Sequence, residues 1–321
     1  MANSNFPNGF ASGVTIRGIP LQQLHPGEVF WVNNSSVLAY GQDVTGSNGN
    51  EGSFRKPFST ITYALTQCTA NRGDIIMLGV GHNEVVATAA AAGLTFDVAG
   101  VAIVGTGVGS LRSAITQTVA DTTIAVTAAN ISFSNISFEA GIAQVATCLD
   151  VSGVDGLSFD NCYWTEGAAA GTFNYVDFIN LATGADNFSM NRCYMYGRDT
   201  KNDSQITGVA HDGFYLSDCV FFNAVAQDSN SANLIASGNV TNIEAKNCYF
   251  YNNADGATCI AFAGTACGGV WRDCAFGSSD AAGFIAAAAD ATGSHFFNCY
   301  GSGDDDSWGA PTGGAQIYTN T

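Results

Sequence analysis

Short apolar runs with period-two alternation recur along most of this 321-residue chain, without sustained helical spacing through the repeat. The recurring unit is clearest around six cysteines: Asn161-Cys162-Tyr163, Arg192-Cys193-Tyr194, Asp218-Cys219-Val220, Asn247-Cys248-Tyr249, Asp273-Cys274-Ala275 and Asn298-Cys299-Tyr300. Asn135-Ile136-Ser137 has the same form with Ile in place of Cys, and successive members lie 25–31 residues apart. Three residues before each central position stand Phe133, Phe159, Met190, Leu216, Ala245, Trp271 and Phe296. Five before stand Ile131, Leu157, Phe188, Phe214 and Ile243, and the pattern lapses at Gly269 and Ser294. Two after stand Phe138, Trp164, Met195, Phe221, Phe250, Phe276 and Gly301. Positions −5 and −3 share parity and so face one side of a strand. Position 0 breaks that parity, which requires a bend at −1, where Asn and Asp tolerate left-handed backbone.

A repeat of this length, with strand-period residues and turn residues between them, predicts a solenoid of stacked β-coils. Each coil contributes two or three short parallel strands, with coils ~4.8 Å apart. Equivalent side chains then stack as ladders. Cys162, Cys193, Cys219, Cys248, Cys274 and Cys299 are expected to form a structural ladder of buried thiols, since Cys suits a narrow interior. No Cys-x-x-Cys or neighbouring His supports zinc spacing, so no metal site is expected. Tyr163, Tyr194, Tyr249 and Tyr300 at +1 form a stripe that faces either inward or outward; outward, it marks a binding or oligomer face.

Upstream, Gly52-Ser-Phe-Arg-Lys-Pro-Phe-Ser-Thr-Ile-Thr-Tyr-Ala-Leu65 precedes Asn71-Arg-Gly-Asp74 and the buried-strand run Ile75-Ile76-Met77-Leu78. Ser59 is placed to cap a helix over about 58–69, with Ile61, Ala64, Leu65 and Cys68 on its apolar stripe. This order resembles the opening of right-handed parallel β-helix proteins of the pectate-lyase and phage-tailspike type, in which a short helix caps the stack. The expected fold is therefore all-β: a right-handed parallel β-helix over 49–306, an N-terminal β arm over 1–48, and a C-terminal tail over 307–321. Residues Gly9 to Val32 are similar to the N-termini of β-helical proteins encoded in tailed-phage structural gene clusters, with Ile19-Pro20, His25-Pro26-Gly27 and Phe30-Trp31 carrying the likeness. The resemblance implies an arm that attaches to a major capsid protein, with Ile16, Arg17, Phe30 and Trp31 as contact candidates, and a parallel homotrimer.

Composition narrows the partners. Acids outnumber bases 27 to 10, for a net charge of −17, which disfavours phosphate-backbone binding and leaves nucleic acid an unexpected partner. The most apolar stretch, Val85 to Gly105, is broken by Thr88, Gly93, Asp97 and Gly100 and fits strands rather than a membrane span. The N-terminus lacks a basic start and apolar run, so assembly in a host cytoplasm is expected.

Candidate chemistry is sparse. His211-Asp212-Gly213 lacks the leading Gly of a Gly-His-Gly motif, and no Arg-x-Lys occurs. His25, His82 and His295 are isolated. Asp304-Asp305-Asp306 reads as a solvated turn before a cation site, and Arg198 to Asp203 as an exposed turn. Gly105-Thr-Gly-Val-Gly109 lacks the Lys-Ser/Thr of a phosphate loop. No catalytic residue and no cofactor are expected. The leading reading is a non-enzymatic capsid decoration or cement protein on the outer surface of a virion. The alternative is a tailspike or tail fibre that binds, and slowly cleaves, a host surface glycan. Exposed aromatics beside a groove of Asp and Glu would favour it, and buried aromatics would favour the first. A secreted polysaccharide lyase ranks third.

Overall fold

The computed structural model describes residues 15–16, 19–20, 27–36, 38–88, 90–166, 173–198, 204–224, 232–253, 258–262, 267–278, 285–287, 293–303 and 316–318. Apart from a two-stranded pair, Thr15–Ile16 with Ile19–Pro20, the strands form three parallel sheets of eleven, nine and eight strands, here sheets I, II and III. The chain visits I, II and III in turn and returns to I one coil later. Pairing is in register from coil to coil: Phe133 lies beside Phe159, Phe138 beside Trp164, and Phe221 beside Phe250.

The bend required by the parity break is present at every repeat. Asn135, Asn161, Arg192, Asp218, Asn247, Asp273 and Asn298 all have φ between 50° and 59°. Side-chain amides link this column along the stack, with Asn161 Nδ2 donating to Asn135 Oδ1 at 3.1 Å and Asn298 Nδ2 to Asp273 Oδ1 at 2.6 Å. Arg192 departs from the Asn/Asp pattern; its guanidinium makes an ion pair with Asp160 at 2.6 Å.

A second left-handed column lies at the start of sheet I, before the strands in the early coils and inside them at Gly213 and Asn242. It runs Asn71, Gly100, Asn130, Gly156, Asn187, Gly213 and Asn242, strictly alternating Asn and Gly, all with positive φ. The alternation has a steric cause. A Cβ on Gly156 would lie 2.5 Å from Asn130 Oδ1, and one on Gly213 would lie 2.9 Å from Asn187 Oδ1. At these two positions the Asn side chain of the preceding coil occupies the space that a Cβ would need, whereas at Gly100 the nearest atom is the Asn71 Cα at 3.2 Å.

The interior is filled by aromatic ladders. Phe133 stacks on Phe159 at 5.2 Å, and Phe221, Phe250 and Phe276 stack at 4.8 and 5.3 Å. The six ladder cysteines are 0–6% exposed, and all ten cysteines are free thiols. Burial pushes the Cys193 thiol upward, keeping it protonated. Cys148, outside the ladder, is fully buried near Tyr175 and Trp164, and burial raises its thiol.

The N-terminal end differs from expectation in two ways. The capping helix spans Ile61–Gln67, with Thr60 rather than Ser59 as N-cap: Thr60 Oγ1 accepts from the Tyr63 N–H at 3.2 Å, while Ser59 is held by Asn48. The helix stops before Cys68 because the Thr69 N–H is taken by Asp74 at 2.7 Å. Second, the first 45 residues do not all stand outside the repeat. Val29–Val32 pairs in parallel with Ile75–Leu78 and closes the edge of sheet I. An open parallel edge leaves a row of unpaired N–H and C=O groups, and this strand satisfies them. Asp74, fully buried, locks it in place by accepting from the Glu28 N–H at 2.8 Å and the Arg72 guanidinium at 2.7 Å. Burial opposes the charge on Asp74, yet Arg72 and the two backbone donors hold its carboxyl below the ordinary range.

Candidate functional site

Strand polarity decides which columns face solvent. On sheet II the inward set is Ile115, Phe138, Trp164, Met195, Phe221, Phe250 and Phe276, so the residues between them point out. One outward column is Asn83, Ala114, Ser137, Tyr163, Tyr194, Val220, Tyr249, Ala275 and Tyr300; the tyrosine stripe therefore lies outside the coil, with Tyr300 64% exposed. The second outward column includes Thr116, Glu139, Thr165, Tyr196, Phe222 and Tyr251. Its three aromatics escape a reading confined to the residue after Cys, although they stand two positions on with the same parity.

The two columns merge into one aromatic surface. Tyr196, Phe222 and Tyr251 stack at 5.6 and 4.8 Å with planes within 19°. Tyr194 joins Tyr196 at 6.0 Å, and Tyr249 joins Tyr251 at 6.4 Å. Arg112 covers Tyr163 at 4.0 Å from the ring centroid, and Arg198 lies over Tyr196 at 5.7 Å. Partial burial, with Tyr196 beside Tyr194 and Tyr251 beside Tyr249, raises both the Tyr194 and Tyr249 hydroxyls. Because neighbouring rings spend their faces on each other, the surface presents mainly ring edges and hydroxyls. A sugar stacks on an open ring face, which this arrangement supplies poorly; edges and hydroxyls suit packing against protein.

Sheet I carries a different feature. Near its C-terminal end a cleft of about 400 Å³ runs over Gly268, Gly269 and Gly293 beside Asn242 and His295. It adjoins a second of about 460 Å³ bordered by Tyr215, Glu244 and Arg272. Glu244 and His295 share one outward column with Val270 between them, two strand spacings or ~9.6 Å apart along the sheet. Arg272 stacks over Phe297 at 4.9 Å.

The remaining candidates separate. His82 is fully buried: its Nδ1 accepts from the Asn34 N–H at 3.1 Å, so Nε2 bears the proton facing Glu84 Oε2 at 3.2 Å. Glu84 also accepts from the Ile61 N–H at 3.0 Å. With both ring nitrogens engaged and no access to solvent, this pair braces the capping helix. His211 is buried against Phe214, and burial lowers its pKa while Asp186 opposes that shift. The Asp212 carboxylate is committed to Thr241 and Asn242, each at 2.6 Å. Cys68, the C-cap of the capping helix, is half-buried, its thiol pushed up to about 12 by burial and by Asp74. The Arg198 backbone N–H is clamped by Glu166 at 2.6 Å. Phe30 stacks on Phe58 at 6.0 Å, and Trp31 meets Phe54 edge-on at 4.8 Å, so both belong to the first coil's packing. Ile16 lies in the Thr15–Ile16 strand. Arg17, His25, Lys201, Asp203 and Asp304–Asp306 lie outside the described residues. Among the described residues no group of three or more His, Cys, Asp or Glu is placed to hold a metal ion, and no helix is long and apolar enough to cross a membrane.

No known family model and no curated protein matches the chain. Solved structures do. A rhamnogalacturonan lyase aligns over 84% of this chain and 73% of its own, with a TM-score of 0.50 and 14% identity. The chain shares the parallel β-helix fold. A pectin methylesterase from Aspergillus niger aligns over 88% and 93%, with a TM-score of 0.49 and 15% identity. ORF18 of Geobacillus virus E2 aligns over 85% of this chain and 57% of its own, with a TM-score of 0.46 and 14% identity. At such identities the likeness is one of fold.

Proposed function

We propose that this protein is a non-enzymatic structural protein of a tailed phage, a decoration or cement protein on the outer capsid surface that projects a β-helix homotrimer. The carrying observation is the outward face of sheet II, whose stacked, nearly uncharged aromatics suit assembly better than sugar stacking. The attachment role falls to the N-terminal segment ahead of Val29, since Val29–Val32 is committed to the first coil. A net charge of −17 suits a soluble outer surface that repels unspecific partners. The test is cryo-EM of particles from the source virus with this protein's density located. Knobs at three-fold or quasi-three-fold capsid positions are expected; density confined to the tail would refute the decoration role.

The cleft on sheet I supports a second reading, in which a host surface glycan is bound between Tyr215, Glu244, Arg272 and His295. Screening the purified protein against host-derived oligosaccharides tests it. Binding that disappears in Glu244→Gln would shift the assignment to a tailspike or fibre role.

A further inference from the structure

The aromatic face of sheet II is poorer in acid than sheet I, and it carries one outward carboxylate where sheet III carries two, Asp150 and Asp177. Across its described outward positions, from Asn83 and Val85 at one end to Tyr300 at the other, Glu139 is the sole carboxylate. Sheet I, by contrast, displays Asp160, Glu244, Lys246 and Arg272. In a chain of net charge −17, two copies repel least where they meet on a surface poor in acid, and this face, with Glu139 alone, is such a surface. Its dimensions follow from the strand count. Nine strands ~4.8 Å apart and about four residues wide give a patch of roughly 40 by 13 Å in projection. That projection is roughly 500 Å² before the relief of the rings is counted, against the ~800 Å² per partner of a standard interface.

The face is polar at one end and aromatic over the other. Asn83, Thr116, Ser137 and Glu139 precede Tyr163, Tyr194, Tyr196, Phe222, Tyr249 and Tyr251. Parallel copies bring aromatic against aromatic and polar against polar along the whole length. Antiparallel copies match only over part of it and set the exposed Tyr300 against the polar end. We infer that the outward face of sheet II is the contact by which parallel copies of this chain associate, with Phe222 and Tyr251 at its centre. This rests on the homotrimer reading above and specifies the surface that builds it. Parallel association also sets all N-terminal segments at one end, as attachment to a common support requires.

The test uses the full-length chain in sedimentation velocity and multi-angle light scattering. The wild type is expected at about three times the 33.2 kDa monomer mass. Phe222→Glu and, separately, Tyr251→Lys are expected to sediment as monomers with an unchanged circular dichroism spectrum, a loss of more than 100-fold in association. Ser189→Glu, on the outward face of sheet I, is expected to leave the mass unaltered. A photo-crosslinking p-benzoylphenylalanine at position 251 is expected to yield self-crosslinked species, and one at position 215 none. A monomeric wild type overturns both the trimer and the surface. A trimer that persists in both charged variants, or that crosslinks through position 215, overturns the surface and leaves the trimer standing. Capsid binding is scored separately, because its failure bears on the decoration role and not on this contact.

Discussion

The Asn–Gly alternation in the second bend column makes a quantitative double-mutant prediction. Gly156 has φ +75°, and an added Cβ would come within 2.5 Å of Asn130 Oδ1. Gly156→Ala therefore incurs two separable penalties. Placing an L-residue in left-handed backbone costs about 1–2 kcal/mol. Crowding Asn130 adds about 1–2 kcal/mol, in the range of overpacking and off-rotamer strain. The single variant should lose about 2–4 kcal/mol. In an Asn130→Gly background the crowding vanishes and only the backbone penalty persists, so the pair should couple by about 1–2 kcal/mol. Urea unfolding of the four proteins measures this, with two probes compared because stacked repeats need not melt as one unit. Coupling below about 0.5 kcal/mol would refute the claim that the Asn side chain excludes the next coil's Cβ.

Other expectations follow from named side chains. Thiol titration should find ten free thiols in denaturant and very few in the native protein, and Cys219→Ser should cost a few kcal/mol at most, as a hydroxyl enters an apolar column with backbone acceptors nearby. His211 is held below its ordinary pKa by burial, so the unfolded chain takes up its proton first as pH falls. Stability from this residue is complete above about pH 6.5 and declines below it by up to about 1.4 kcal/mol per pH unit. His211→Gln should flatten the fall of the unfolding midpoint below about pH 6.5; an unchanged slope would refute this. Asp74→Ala removes the acceptor of the Glu28 and Thr69 N–H groups and the partner of Arg72. A loss of about 3–5 kcal/mol, with faster hydrogen exchange at Val29–Val32, is expected; unchanged exchange there would show that strand pairing alone holds the segment.

Much of the fold was legible because a solenoid writes its structure into a local period. The inward residues at −5, −3 and +2, the bend at −1 and the buried thiol column each follow from parity within a coil and repetition between coils, which need no long-range knowledge. The second bend column was equally present as Asn71, Gly100, Asn130, Gly156, Asn187, Gly213 and Asn242. Its logic became visible only when successive members proved to be stacked, since an Asn forbids a Cβ solely on the coil beside it.

What the chain alone left open was everything decided between surfaces. Parity shows that Tyr163 and Trp164 face opposite ways, but only the closure of three sheets makes the tyrosine side the outer one. The same closure brings Tyr196, Phe222 and Tyr251 into one stacked surface with Tyr194 and Tyr249. Val29–Val32 carries strand character from its residues alone, whereas its place in the first coil depends on the open edge at Ile75–Leu78 and on the buried Asp74, 46 residues on from Glu28. The histidines make the same point. His82 and His295 are isolated in sequence and His211 stands in a partial motif; coil stacking engages both nitrogens of the first, sets the second in a cleft and buries the third. The period fixes which side chains share a column. The neighbours across coils and sheets fix what each column can do.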